Sequence, residues 1–276
     1  MKTEADITRM VFSREGVGLT ATILMRNDLF FGKFVTDHPT LILVRRGKKT
    51  LKTGGRKIVL LPGDAVAVAA GAACDVTNET DKGQYEACWI VCSALTVSKV
   101  ERSFPNQKKL KDLVALKGLG NEFVQSFERG VHAIRAPDCV PDAVAENRVQ
   151  ELLTWLLHVG FVFKSDEPAE LQRKVRLMIG VAPEKNWISK DIAQSVAMSE
   201  ATFRRRLADE GQSFTGILLD VRMTLALTLL QVTDISISKI AYQVGYESAS
   251  RFSVRFKKRF GFSPTAIRGV PLQLQA

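Results

Sequence analysis

The stretch Ile192-Ala193-Gln194-Ser195-Val196 returns as Ile240-Ala241-Tyr242-Gln243-Val244, and this repeat constrains the last hundred residues more tightly than any other feature of the chain. In each copy Ile, Ala and Val stand at i, i+1 and i+4, which is one edge of a short helix. A serine follows, Ser199 before Glu200 and Ser248 before Ala249. Its hydroxyl is placed to accept an orphan amide proton and so to start a second helix. Both second helices are basic. The first carries Arg204, Arg205 and Arg206 around Phe203 and Leu207; the second carries Arg251, Arg255, Lys257, Lys258 and Arg259 around Phe252 and Phe256. Apolar residues four apart share the inner face and leave the cations outside. A helix over Phe214–Leu230, with the stripe Leu218, Val221, Leu225 and Leu229, joins the copies. Two helix-turn-helix units joined in this way would lay two helices along one face of a DNA duplex, about one turn or 34 Å apart.

Charge agrees with that placement. The chain carries a net charge of +10; from Leu171 onward 16 Lys and Arg face 8 Asp and Glu, whereas the first 170 residues are nearly balanced. A positive field concentrated on the repeat suits a phosphate-rich partner. On the first basic helix Ala201, Arg204 and Arg205 are the candidate base readers, and on the second Ser250, Arg251, Val254 and Arg255. Arginine can bond guanine O6 and N7 with two hydrogen bonds. Ser199, Arg206, Lys239, Ser248, Lys257, Lys258 and Arg259 are candidate phosphate contacts, which position without reading sequence.

Residues from about Val175 to Arg268 resemble the DNA-binding domain of the AraC/XylS transcription regulators. The resemblance rests on Ile237-Ser238-Lys239-Ile240-Ala241-Tyr242-Gln243-Val244-Gly245-Tyr246, on Arg251-Phe252 with Arg255-Phe256-Lys257-Lys258, and on Gly261-Phe262-Ser263-Pro264 with Ile267-Arg268. The first copy departs from the family pattern: Ser189 replaces an apolar residue, Ala197 a turn glycine, and the segment before Gly211 is one residue short. The resemblance implies promoter DNA and RNA polymerase as partners, most often in activation. It also implies an N-terminal cupin-like barrel with following helices, for effector binding and dimerisation.

The residues themselves point to the same architecture. Short apolar runs at Thr20–Met25, Leu29–Val35, Thr40–Arg45, Lys57–Leu61, Asp64–Ala69 and Cys88–Ala94 alternate with Gly- and Pro-rich punctuation, which predicts antiparallel strands in a sandwich or barrel. Leu61-Pro62-Gly63-Asp64 resembles a turn of cupin-like barrels. Helical spacing follows, at Leu110, Leu113 and Val114, then at Phe123, Phe127 and Val131, then over Asp142–Gly160. In that last helix Val149, Leu152, Leu153, Leu156 and Leu157 either close the core or form a homodimer interface. The polar stretch Phe163–Leu171 is the best linker. The expected class is therefore α+β: an effector-binding and dimerisation domain over 1–165, with a barrel at about 10–98 and helices at about 105–163, then an all-α domain over 171–276 with helix-turn-helix units at about 188–209 and 236–259.

Other chemistries find little footing. Cys88 and Cys92 would share one side of a strand, but no further Cys or His pair completes zinc-ligand spacing; buried thiols are expected, with a redox or metal sensor as the alternative. His38, His132 and His158 are scattered, no nucleophile motif is present, and neither an enzyme nor a bound cofactor or metal is expected. The apolar run Leu152–Phe163 is too short for a bilayer, and Met1–Asp6 begins no signal peptide, so a cytoplasmic protein is expected. Arg45, Arg46, Lys48, Lys52 and Arg56 crowd a strand-turn-strand segment. They form either a solvated basic hairpin or a site for a small anionic effector. The alternative regulator has no small-molecule ligand and answers to a protein partner or to dimerisation alone.

Overall fold

Leu61-Pro62-Gly63-Asp64 folds as its residue types dictate. Gly63 takes φ 90°, the Asp64 amide donates to Leu61 O at 2.9 Å, and the Asp64 carboxylate accepts the Leu61 amide at 3.0 Å. The turn joins two of the strands in a computed structural model that describes residues 11–165 and 171–268. By contacts the chain divides into two compact units, one up to residue 165 and one from 171, with 231–234 and 267–268 grouped with the first. Part of the expected linker, residues 166–170, and the chain ends lie outside the described residues.

The first unit runs β1 (Phe12–Arg14), β2 (Gly18–Met25), β3 (Leu29–Val35), β4 (Thr40–Arg46), β5 (Lys48–Thr53), β6 (Arg56–Leu60), β7 (Ala65–Val68), β8 (Ala73–Glu79), β9 (Tyr85–Cys92), α1 (Ala94–Ser103), β10 (Lys108–Leu110), β11 (Leu113–Leu116), α2 (Gly120–Arg135), α3 (Asp142–His158) and β12 (Phe161–Phe163). A six-stranded sheet in the order β1-β2-β9-β4-β7-β11 accompanies a four-stranded sheet in the order β3-β8-β5-β6, with every pairing antiparallel. This is the cupin-like α+β arrangement. Leu41, Leu43, Val66, Ala87 and Ile90 of the larger sheet and Leu51 and Leu60 of the smaller are buried. Cys88 and Cys92 are buried on β9, and burial raises both thiol pKa values, which keeps the sulfurs protonated and inert.

Two expectations change. Leu110, Leu113 and Val114 lie on strands rather than on a helix, because β11 pairs with the β7 edge from Leu113 opposite Val68 to Leu116 opposite Ala65. A short apolar run with i, i+3, i+4 spacing does not distinguish the two conformations, and sheet pairing decides. Val149, Leu152, Leu153 and Leu156 do not form an exposed dimer stripe; they are at most 2% exposed, with Leu157 half-buried. A Cβ at Gly130 of α2 would lie 2.9 Å from Leu152, so this glycine lets α2 and α3 close on each other. Arg14 ties the strands to these helices, donating to Ala133 O, Val140 O and the Asp142 carboxylate.

The second unit is helical: α4 (Leu171–Val181), α5 (Ser189–Ser195), α6 (Glu200–Asp209), α7 (Phe214–Val232), α8 (Ile237–Gln243), α9 (Ala249–Phe260) and α10 (Pro264–Arg268). Val175, Ile179, Ile192, Phe203, Leu207, Ile217 and Val221 form one core cluster. Helix α7 buries more than the expected stripe. Leu218, Leu225 and Leu229 are only half-buried, whereas Ile217, Met223, Ala226, Leu227 and Leu230 are buried.

Inside the first unit one cation lies in an unusual place. Lys49 is 3% exposed, donates to Asn78 Oδ1 at 2.7 Å, and sits 5.7 Å from the Tyr85 ring centroid. Burial pulls its pKa down to about 8. The unfolded chain holds this proton up to the usual 10.5. The charge therefore costs stability fully below pH 8, and the cost fades between pH 8 and 10.5 as the folded protein releases the proton. Lys49→Met is expected to raise stability at pH 7, with an upper bound on the order of 3 kcal/mol. Denaturant melts of both proteins should show the difference shrinking as pH rises above 8; a difference constant with pH would remove Lys49 from the account.

Candidate nucleic-acid interface

Each helix-turn-helix unit is held by its own polar cap and apolar wedge. Ser199 Oγ accepts the Thr202 amide at 3.2 Å to start α6, and Ser248 Oγ accepts the Arg251 amide at 3.4 Å to start α9. Ser236 caps α8 in the same way through the Lys239 amide. Ile192 and Ala193 of α5, and Ile240 and Ala241 of α8, are at most 1% exposed. On α9 the rings of Phe252, Phe256 and Phe260 form a ladder with centroid spacings of 5.5 and 4.8 Å. The ladder fixes which face of α9 looks outward.

That outward face carries the expected residues. Ala201, Arg204 and Arg205 on α6, and Ser250, Arg251, Val254 and Arg255 on α9, are all exposed. Ser250, Arg251, Val254 and Arg255 line one open groove of about 660 Å³ together with Gly245, Tyr246 and Glu247. Val254 is 69% exposed at the centre of this face. Lys239, Lys257 and Lys258 are exposed at the edges. Arg206 faces a second groove, with Lys174, Asp209 and Glu210.

The two copies differ in their turns and in how free their cations are. Ala197 adopts φ 55° where Gly245 adopts φ 84°. Arg204 is engaged by Glu200 at 2.6 Å and approaches Ser189 Oγ at 3.4 Å. Among the described residues Arg251 and Arg255 form no ion pair with a carboxylate, and they stand on the more strongly basic helix.

Residues 192–269 match the family model of a helix-turn-helix domain. Curated relatives in Escherichia coli include the HTH-type transcriptional regulator YdeO, 40% identical over 94 residues, covering 34% of this chain and 37% of YdeO. The urease operon transcriptional activator is 34% identical over 108 residues, covering 39% of this chain and 36% of its own length. The transcriptional activator PerA is 36% identical over 112 residues, covering 41% and 40%. The domain belongs to the AraC/XylS family. The chain thus matches less than half the length of each of these relatives. Over both units the fold is that of ToxT from Vibrio cholerae: its fatty acid bound wild-type structure superimposes with a TM-score of 0.67 at 16% identity, covering 91% of this chain and 95% of ToxT.

Within this AraC/XylS domain, Arg259 departs from the expected phosphate role. It turns inward, donating to Asp220 from Nε at 2.9 Å and Nη2 at 2.8 Å, and its side chain is 17% exposed. Position 259 falls next to the buried Phe260, on the shoulder of α9 that faces α7. Sequence reasoning also passed over Glu200, Glu247, Tyr242 (58% exposed) and the α7 charges Asp220 and Arg222. Two opposite charges inside an otherwise apolar helix were the available signal for that last pair.

The basic hairpin does not form a converging anion site. Arg45 is bound by Glu86 and Glu128, Arg46 by Gln84 with Asp81 nearby, Lys48 by Glu79, and Arg56 by Asp112. Lys52 lies between Lys57 on β6 and Asp75 on β8. Carboxylates from β8, β9, α2 and connecting loops, all outside the local sequence window, pair with Arg45, Arg46, Lys48 and Arg56.

The turns yield a paired prediction. A Cβ at Gly245 would lie 2.5 Å from Arg222 Nη2 and 2.8 Å from Pro183 O, so Gly245→Ala adds a clash to backbone strain. It is expected to cost more than about 2 kcal/mol. Ala197 already bears the left-handed strain, and Ala197→Gly should stabilise by about 1 kcal/mol. Thermal melts of the full chain check both; equal effects of like sign would show that the two turns are not related as described.

Proposed function

We propose that this protein is a sequence-specific DNA-binding regulator of transcription, an activator, acting on promoter DNA and RNA polymerase in the cytoplasm. The observation that carries this reading is the pair of capped basic helices, α6 and α9, each anchored by buried phenylalanine with its arginines outward. The names of the curated relatives support regulation, and two of them support activation. Arg204, Arg205, Arg251 and Arg255 are the principal base readers, assisted by Ala201, Ser250 and Val254. Val254 is suited to a thymine methyl group. Ser199, Arg206, Lys239, Ser248, Lys257 and Lys258 hold phosphates.

A small effector with an anionic group controls the DNA-binding unit through the first unit. The fatty acid bound ToxT structure supports a small-molecule ligand for this fold. Lys49 supports the anionic character: it is buried with Asn78 and pairs with no carboxylate among the described residues, and Tyr85, whose ring lies beside it, has a buried hydroxyl without a hydrogen bond. An anion would supply both with what they lack. Such a ligand acts only through its difference in affinity for the DNA-competent and incompetent states.

Selection of duplexes from a random pool by the full-length protein, followed by binding measurements on the enriched sequence, tests the first reading. Arg251→Ala and Arg204→Ala are each expected to weaken binding by roughly 5- to 100-fold and to relax preference at a different base position. Lys258→Ala should weaken binding to every duplex and flatten the salt dependence. Unchanged preference in both arginine variants would refute the assignment of readers.

A further inference from the structure

Asp220 stands on α7 between arginines from two other helices. Its Oδ2 accepts from Arg176 Nη1 of α4 at 2.7 Å, and its Oδ1 accepts from Nε and Nη2 of Arg259 on α9. The three side chains are 8%, 22% and 17% exposed in the order Arg176, Asp220, Arg259, so water competes weakly for these bonds. The Arg259 guanidinium also lies 4.9 Å from the Phe260 ring, at the end of the aromatic ladder. On the other side, α4 belongs to the first helix-turn-helix unit: its Val175 and Ile179 share a core with Ile192, Phe203 and Leu207. One carboxylate therefore joins the scaffold of the first unit, the connecting helix and the second recognition helix.

Apolar contact alone does not define such an arrangement. The hydrophobic effect is non-directional, so the ring ladder fixes the buried face of α9 and leaves sliding and small rotations cheap. Charge-assisted bonds from two nitrogens of one guanidinium fix both direction and register. Buried ion pairs add little net stability and can instead specify one arrangement among several. We propose that Asp220 is a positioning residue for DNA reading: through Arg176 and Arg259 it sets α9 relative to α6, and so makes the protein selective for the spacing between the two DNA segments it reads. The proposal rests on the DNA-binding function given above and assigns Arg259 to the clasp instead of to a phosphate.

The two roles of Arg259 predict different measurements. Arg259→Leu leaves the Asp220–Arg176 pair intact, so no buried carboxylate is stranded. The probe is the duplex enriched by the full-length wild-type protein, together with versions carrying one base pair inserted or removed between the two contacted segments. For the wild type each spacing change is expected to weaken binding roughly thirtyfold, a penalty of the size seen for a mismatched base pair. For Arg259→Leu that penalty should fall to about threefold, with the salt dependence on the enriched duplex unchanged. Asp220→Asn should lose spacing selectivity in the same direction, and Arg259→Lys should recover part of it. Circular dichroism melts accompany each variant, and the Lys variant keeps the test open if Leu unfolds the domain.

Loss of affinity equal at all spacings, with the salt slope lower by about 0.9, would identify a phosphate contact and overturn the proposal. An unaltered spacing penalty in folded Arg259→Leu and Asp220→Asn would overturn it as well. Failure of the wild-type protein to enrich any duplex is a separate result: it would sink the DNA-binding function, and the proposal with it.

Discussion

Helix α7 is apolar along most of its length, and the second unit is arranged around that constraint. Ile217 and Val221 enter the core of the first helix-turn-helix unit, while Met223, Ala226, Leu227 and Leu230 are buried as well. By length and composition the helix would qualify as a membrane span. Asp220 and Arg222 show why it serves as an internal strut instead: both are consumed by neighbours in the same unit. Arg222 donates to the Pro183 and Lys185 carbonyls and closes on Gly245, so the connector is tied to the α4–α5 loop and to the turn of the second unit at once. Directional bonds from Asp220 and Arg222, together with apolar burial along the helix, tie the two motifs to one connector.

Within that frame the two copies are unequal. The second has a glycine in its left-handed turn, a ring ladder under its recognition helix and arginines left open to a groove. The first bears an alanine in the left-handed turn, and its Arg204 is held by Glu200. An intramolecular carboxylate must be displaced or carried into the groove when Arg204 meets a base.

Much of this was legible in the sequence because helix-turn-helix chemistry is local. The caps Ser199 and Ser248, the wedge residues Ile192 and Ile240, and the four-residue spacing of Phe252 and Phe256 all act within one or two helical turns. Strand positions such as Leu29–Val35 were legible for the same reason, since alternation and turn residues lie side by side. What escaped was set by partners distant in the chain. Arg45 meets Glu128, Arg56 meets Asp112 and Arg259 meets Asp220, so each apparent surface cation was already neutralised. Leu113 became a strand residue because β7 offered an open edge, and the leucines of α3 were core because α2 lay over them. Neither edge nor cover can be read from a window of a few residues.

Every role proposed for the second unit depends on α6 and α9 docking together on one face of a duplex. Hydroxyl-radical footprinting of the full-length protein on a duplex it enriches from a random pool tests this most directly. Two protected segments on the same face, about 10 base pairs apart, are expected. A single protected segment, or two on opposite faces, would contradict it.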